Sequence, residues 1–291
     1  MVNSSNNDLK LNRPIIINFK TNAKIFKVNF ELSNIVKGNF PHVGVTAREG
    51  IAVLYRRLNE KNYYNMDVMS RHKSFTLDFR EILPGDDFFE VLIYGPILSQ
   101  LEYFDIEISN NFRVEVIERD SRKNILIGGG LHSFGIGCTT SGVMFPNIIG
   151  RKFNSNIINI SQYDSNFLKV LYDTYKDIDL PNCDLGILEL DYYNQNEKIL
   201  DEYLINVVNL FKSKCDKLIC WYTLPHDDSY KKNHIHDLLN QNFNKNELII
   251  KDLSCLYNNE YLNKCTFSKN FINDTANIYI FKELSKIIGE F

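Results

Sequence analysis

The chain has 291 residues, 44% of them hydrophobic and 24% charged, with a formal net charge of -3. That length carries one large domain or two ordinary ones, and that balance is globular rather than disordered. No surplus of Lys and Arg marks a nucleic-acid partner, and no apolar run approaches the ~20 residues of a membrane span. The polar start Met1-Val2-Asn3-Ser4-Ser5 lacks the apolar core of a signal peptide. A cytoplasmic protein with no nucleic-acid or membrane partner is the expectation.

From about Pro14 to Glu118 the chain alternates apolar and polar residues between turn signals, as in Ile25-Phe26-Lys27-Val28-Asn29-Phe30, Ser74–Phe79, Phe89–Tyr94 and Phe112–Ile117. Short alternating strands predict an antiparallel β-sandwich or jelly roll. Tyr55, Tyr63 and Tyr64 read as exposed aromatics suited to stacking on a sugar, or equally as strand packing. A homo-oligomer formed through the sandwich is also expected.

The charged connector Arg119-Asp120-Ser121-Arg122-Lys123-Asn124 changes the pattern, so we divide the chain into domains 1–120 and 121–291. Beyond it, Ile125–Ile127, Ile157–Ile160, Leu185–Leu190, Leu218–Tyr222 and Leu248–Ile250 read as apolar strands. Phe145–Phe153, Phe167–Lys176, Lys198–Lys212, Ser229–Phe243 and Ile278–Ile288 between and after them read as helices. This alternation predicts an α/β domain with a parallel sheet covered on both faces.

In an open parallel sheet, ligands bind beyond the strand carboxyl ends. That rule selects five loops: His132–Gly137, Ser161–Asn166, Asp191–Asn196, Pro225–Asp228 and the segment after Asp252. The run Gly128-Gly129-Gly130 has no GxxxxGK[ST] lysine and no Rossmann spacing, so no nucleotide cradle, cofactor or metal site is expected. The six cysteines form no CxxC pair and read as reduced thiols. His234 and His236, two apart on a predicted helix, point in different directions and make no chelating pair.

The segment Leu131-His132-Ser133-Phe134-Gly135-Ile136-Gly137, the helix that follows it, and Asn159-Ile160-Ser161 together resemble the SGNH (GDSL-type) hydrolases. The branch resembled carries a β-sandwich before a flavodoxin-like α/β domain. It implies a serine esterase or acyltransferase acting on acylated small molecules, including carbohydrates, through an acyl-serine. By that resemblance Ser133 is the nucleophile, and the main-chain N–H groups of Ser133 and Ser161, with the Asn194 amide, hold the oxyanion. His132, Asp164 and Asp191 are expected to line the substrate site.

The resemblance fails at its last block. Where an Asp-x-x-His should precede the C-terminal helix, an ungapped match places Ser268 and Phe271, and a shifted one Asn270 and Asn273. A serine needs a base. His132 is adjacent to Ser133 on a tight turn, where side chains rarely meet, so His226 is the expected replacement. The alternative is an inactive SGNH-fold protein that binds or scaffolds.

Overall fold

The structure is a computed structural model that describes residues 15–33, 43–66, 74–117, 123–191, 197–223, 229–244, 247–257, 264, 266–268 and 271–289. The chain forms two compact units, one of residues 1–120 with Cys138–Val143, the other of 121–137 with 144–291. The sequence boundary at 120 therefore misses one feature: six residues after the first crevice loop return to the first unit.

The first unit holds a short helix α1 (Val45–Glu49) and strands β1 (Ile15–Thr21), β2 (Ile25–Ser33), β3 (Ala52–Arg57), β4 (Tyr64–Asn65), β5 (Ser74–Asp78), β6 (Phe89–Tyr94), β7 (Gln100–Glu107) and β8 (Val114–Val116). They pair as a five-stranded sheet, β4-β3-β6-β1-β8, and a three-stranded one, β5-β2-β7. All of these pairs are antiparallel. The period-2 pattern explains the sandwich. In β2, Phe26, Val28 and Phe30 turn inward, and they share one core with Phe19, Val53, Val91 and Ile106 from the other strands. Burying each such side chain contributes about 1.5–3 kcal/mol. Tyr55 belongs to that core at 7% exposure, stacked on the half-exposed Tyr64, so its sugar-stacking reading gives way to packing.

The second unit carries β9 (Asn124–Gly128), β10 (Asn156–Asn159), β11 (Leu185–Glu189), β12 (Leu218–Tyr222) and β13 (Ile249–Asp252). They form one parallel sheet in the order β10-β9-β11-β12-β13. Nearly every residue of β9, β11 and β12 is buried, as a sheet covered on both faces requires. On one face Leu126, Leu188, Cys220 and Tyr222 pack with Phe167 and Leu171 of α4 (Phe167–Tyr175), Leu204 and Phe211 of α5 (Glu197–Lys212), and Leu239 of α6 (Ser229–Asn242). On the other, Ile127, Ile187, Ile219 and Trp221 pack with α3 (Phe145–Lys152) and α7 (Asp274–Ile288). No helix among the described residues is long and apolar enough to cross a membrane.

The chain leaves β9 toward β10 on one side and comes back to β11 on the other. Such a reversal is where open α/β sheets form their binding crevice, here at the carboxyl ends of β9 and β11. The single turn α2 (Leu131–Phe134) enters it and ends at Gly135, a left-handed residue at φ 101°.

Candidate active site

Three polar side chains meet at the reversal. His132 stands on α2, just past β9, while Glu189 ends β11 and Asp191 follows two residues later. Their exposures are 1%, 0% and 4%. The His132 Nδ1 lies 3.0 Å from Asp191 Oδ2 and 3.4 Å from Glu189 Oε1. Asp191 is itself held from β12: the Thr223 N–H donates to Oδ1 at 2.6 Å and the Thr223 hydroxyl to Oδ2. An imidazole that donates through Nδ1 to a fixed carboxylate is held in one tautomer, with Nε2 as its basic nitrogen.

Glu189 does a different job. Its Oε2 accepts the Ser133 N–H at 2.6 Å and its Oε1 the His132 N–H at 3.3 Å, so one buried carboxylate fastens the start of α2. Burial pushes its pKa up, and the Asp191 charge adds to that, while His132 and the bonds from Ser133 act in the opposite sense. The turn approaches so closely that a Cβ on Gly129 would sit 2.3 Å from Glu189 Cβ, at a φ of 150°. Gly137, at φ 96°, meets the Ile272 carbonyl even more tightly: a Cβ there would lie 1.7 Å from that oxygen.

Ser133 is fully buried, and its hydroxyl faces Glu189. Among the described residues no histidine nitrogen hydrogen-bonds that hydroxyl. Neither main-chain donor assigned to an oxyanion is open. The Ser133 N–H is held by Glu189, and the Ser161 N–H donates to Asn159 Oδ1 at 3.0 Å. Asn159 Nδ2 in turn donates to the Ser133 carbonyl at 2.9 Å, tying the second loop to the first. The two main-chain donors expected at the oxyanion are thus engaged by internal hydrogen bonds.

His226 and Asn194 lie outside the described residues. Asp164 is exposed, and its carboxylate accepts the Asn166 N–H at 2.7 Å in a local turn. Of the expected site residues, the crevice therefore brings His132, Ser133, Ser161 and Asp191 together. Asn273, one of the residues at the failed block, caps α7 by accepting the Ala276 N–H at 3.1 Å, a structural duty. His236 bonds the Tyr222 hydroxyl at 2.6 Å and His234 bonds Asp201 at 2.6 Å, so the two histidines do face different partners.

The sequence reading missed Glu189 and Thr223. The signal for Glu189 was present: an acid closing a fully apolar parallel strand must be buried, and a buried acid needs partners. His132, Glu189 and Asp191 also offer one nitrogen and two carboxylate oxygens within 4.8 Å of one another, a donor set of the kind that takes a divalent cation. Here those oxygens are already engaged by main-chain N–H groups and by Thr223.

No protein-family model matches the sequence, and no curated protein matches it. Solved structures do match. A protein described as a GDSL-like lipase, from Bacteroides ovatus, aligns with a TM-score of 0.73 at 17% identity, over 94% of this chain and 83% of that one. SsfX3, a salicylyl-acyltransferase of a tetracycline biosynthetic pathway, aligns at 0.63 and 14% identity, over 92% and 79%. A family two carbohydrate esterase from Cellvibrio japonicus aligns at 0.57 and 9% identity, over 94% and 87%. The fold is that of the SGNH hydrolases, an antiparallel sandwich unit joined to a flavodoxin-like α/β unit.

Proposed function

We propose that this chain hydrolyses or transfers acyl esters of small hydroxylated molecules at the β9–β11 crevice, with His132 as the general base. The observation that carries this reading is the His132–Asp191 contact at 3.0 Å, braced by Thr223. His132 Nε2 takes the proton of water or of an acceptor hydroxyl as its oxygen bonds to the acyl carbon. The bond from that carbon to the departing alkoxide then breaks, and the imidazolium returns the proton to the alkoxide. Asp191 stabilises the imidazolium between the two transfers. No acyl-serine is needed, consistent with a Ser133 hydroxyl that is fully buried beside Glu189. The GDSL-like lipase, the acyltransferase and the carbohydrate esterase on the same fold support acyl esters as the substrate class.

A second reading is a crevice that binds without turnover. It is favoured by the burial of His132 and Ser133 and by the internal filling of the oxyanion position. The two readings separate in one assay: p-nitrophenyl acetate and longer acyl esters, with and without a sugar acceptor, alongside a serine-directed fluorophosphonate. The proposal expects ester turnover without fluorophosphonate labelling of Ser133. Labelling at Ser133 contradicts it in favour of an acyl-serine, and no turnover with any ester contradicts it in favour of the binding reading.

A further inference from the structure

Two cysteines at the other end of the parallel sheet lie outside the crevice chemistry. Cys183 precedes β11 and Cys215 precedes β12, and their backbones form an isolated parallel bridge. Two hydrogen bonds hold it, Cys183 N–H to the Lys214 carbonyl at 2.7 Å and Asp216 N–H to the Cys183 carbonyl at 3.1 Å. Bridge partners in a parallel pair project their side chains on the same face, about 5 Å apart, which is within the Cα separation a disulfide tolerates. The Cys215 sulfur is packed inward against β11, where a Cβ on Gly186 would lie 3.1 Å from it. Cys183 is buried and Cys215 half-buried, and both are free thiols.

We propose that Cys183 and Cys215 form a peroxide-sensitive dithiol that closes to an intrachain disulfide. The Cys183 thiolate attacks one oxygen of hydrogen peroxide, the O–O bond breaks, and hydroxide leaves to be protonated to water. The resulting sulfenic acid on Cys183 is then attacked by the Cys215 sulfur. The S–S bond forms, the S–O bond breaks, the Cys215 proton is released, and a second water departs. Two thiols are oxidised and one peroxide is reduced.

The thiol contact assigns these roles. The Cys183 thiol donates to the Pro181 carbonyl at 3.4 Å, and the neighbouring Cys215 thiol lowers the Cys183 pKa against the opposing pull of burial and of Asp184. The Cys183 sulfur beside it, then burial, pushes Cys215 up, so the first thiolate of the pair forms on Cys183. A small oxidant suits a sulfur with little exposure. The bridge would staple the amino ends of β11 and β12, about 20 Å along the strands from the crevice.

The test is native incubation of the full chain with hydrogen peroxide, then alkylation under denaturing conditions and non-reducing peptide mapping. The expected result is a Cys183–Cys215 cross-link, a mass loss of about 2 Da reversed by dithiothreitol. Cys220, fully buried, should stay alkylatable. In Cys215→Ser the cross-link disappears and dimedone traps a sulfenic acid on Cys183. Full alkylation of both thiols in the wild-type chain after peroxide, or a link from Cys183 to another cysteine, overturns the proposal without any variant having to fold.

Discussion

Glu189 shows how one side chain sets the chemistry of a turn. A carboxylate with no exposure costs several kcal/mol to keep charged unless donors surround it. Here two main-chain N–H groups are those donors, and the His132 Nδ1 lies 3.4 Å away. Its folded pKa is nevertheless raised by burial. A raised carboxyl binds its proton more tightly folded than unfolded, so its contribution is complete below the ordinary value near 4.5 and is lost as pH rises through the folded value. The stability of the wild type minus that of Glu189→Gln, from urea melts at stepped pH, should therefore fall as pH rises from about 4.5 toward the folded value. The slope is at most about 1.4 kcal/mol per pH unit. A difference that does not change with pH would mean that Glu189 is not desolvated. At Gly129, where φ is 150° and a Cβ would meet Glu189 Cβ at 2.3 Å, alanine combines a strained backbone with a clash. Gly129→Ala should cost about 3 kcal/mol in the same melts. Histidine beside serine was legible as a pair, but their roles were not. Which of two adjacent side chains meets Asp191 depends on the pitch of a four-residue turn, and the sequence pattern does not encode that angle.

Elements explain why the site stands where it does. β11 reads as an apolar run because both faces of the sheet are covered, and it ends at Glu189, two residues before Asp191. The five parallel strands were legible for the same reason: continuous burial leaves a continuous apolar signature. α2 was not, because a single turn between glycines has no periodicity to detect. The return of Cys138–Val143 to the first unit was equally hidden, since it rests on main-chain contacts such as Gly44 N–H to the Cys138 carbonyl at 3.2 Å. One contact between elements can be tested alone. The first N–H of α3, on Phe145, donates to Asn277 Oδ1 of α7 at 3.1 Å, and Asn277 is fully buried. Asn277→Ala strands that N–H and should cost about 1–3 kcal/mol. The urea midpoint should drop while the slope stays the same, and an unchanged midpoint would show that the contact contributes nothing.

For the whole molecule, the change from period-2 strands to strand-helix alternation made both halves of the fold readable before any coordinates. The strand order β10-β9-β11-β12-β13 then puts the reversal, and so the crevice, beside the first loop. The chemistry was half legible. The missing Asp-x-x-His showed that a standard triad is not assembled there; His226 lies outside the described residues, and the contact of His132 with Asp191 was not legible. The account rests on His132 and Asp191 as the working pair and on Ser133 as a buried neighbour, and the most direct test is a comparison of single variants on one ester substrate. His132→Ala and Asp191→Asn should each lower kcat/KM roughly a hundredfold or more, while Ser133→Ala stays within about threefold of the wild type, since it removes only a buried hydroxyl. Loss of activity in Ser133→Ala with His132→Ala still active would contradict the account.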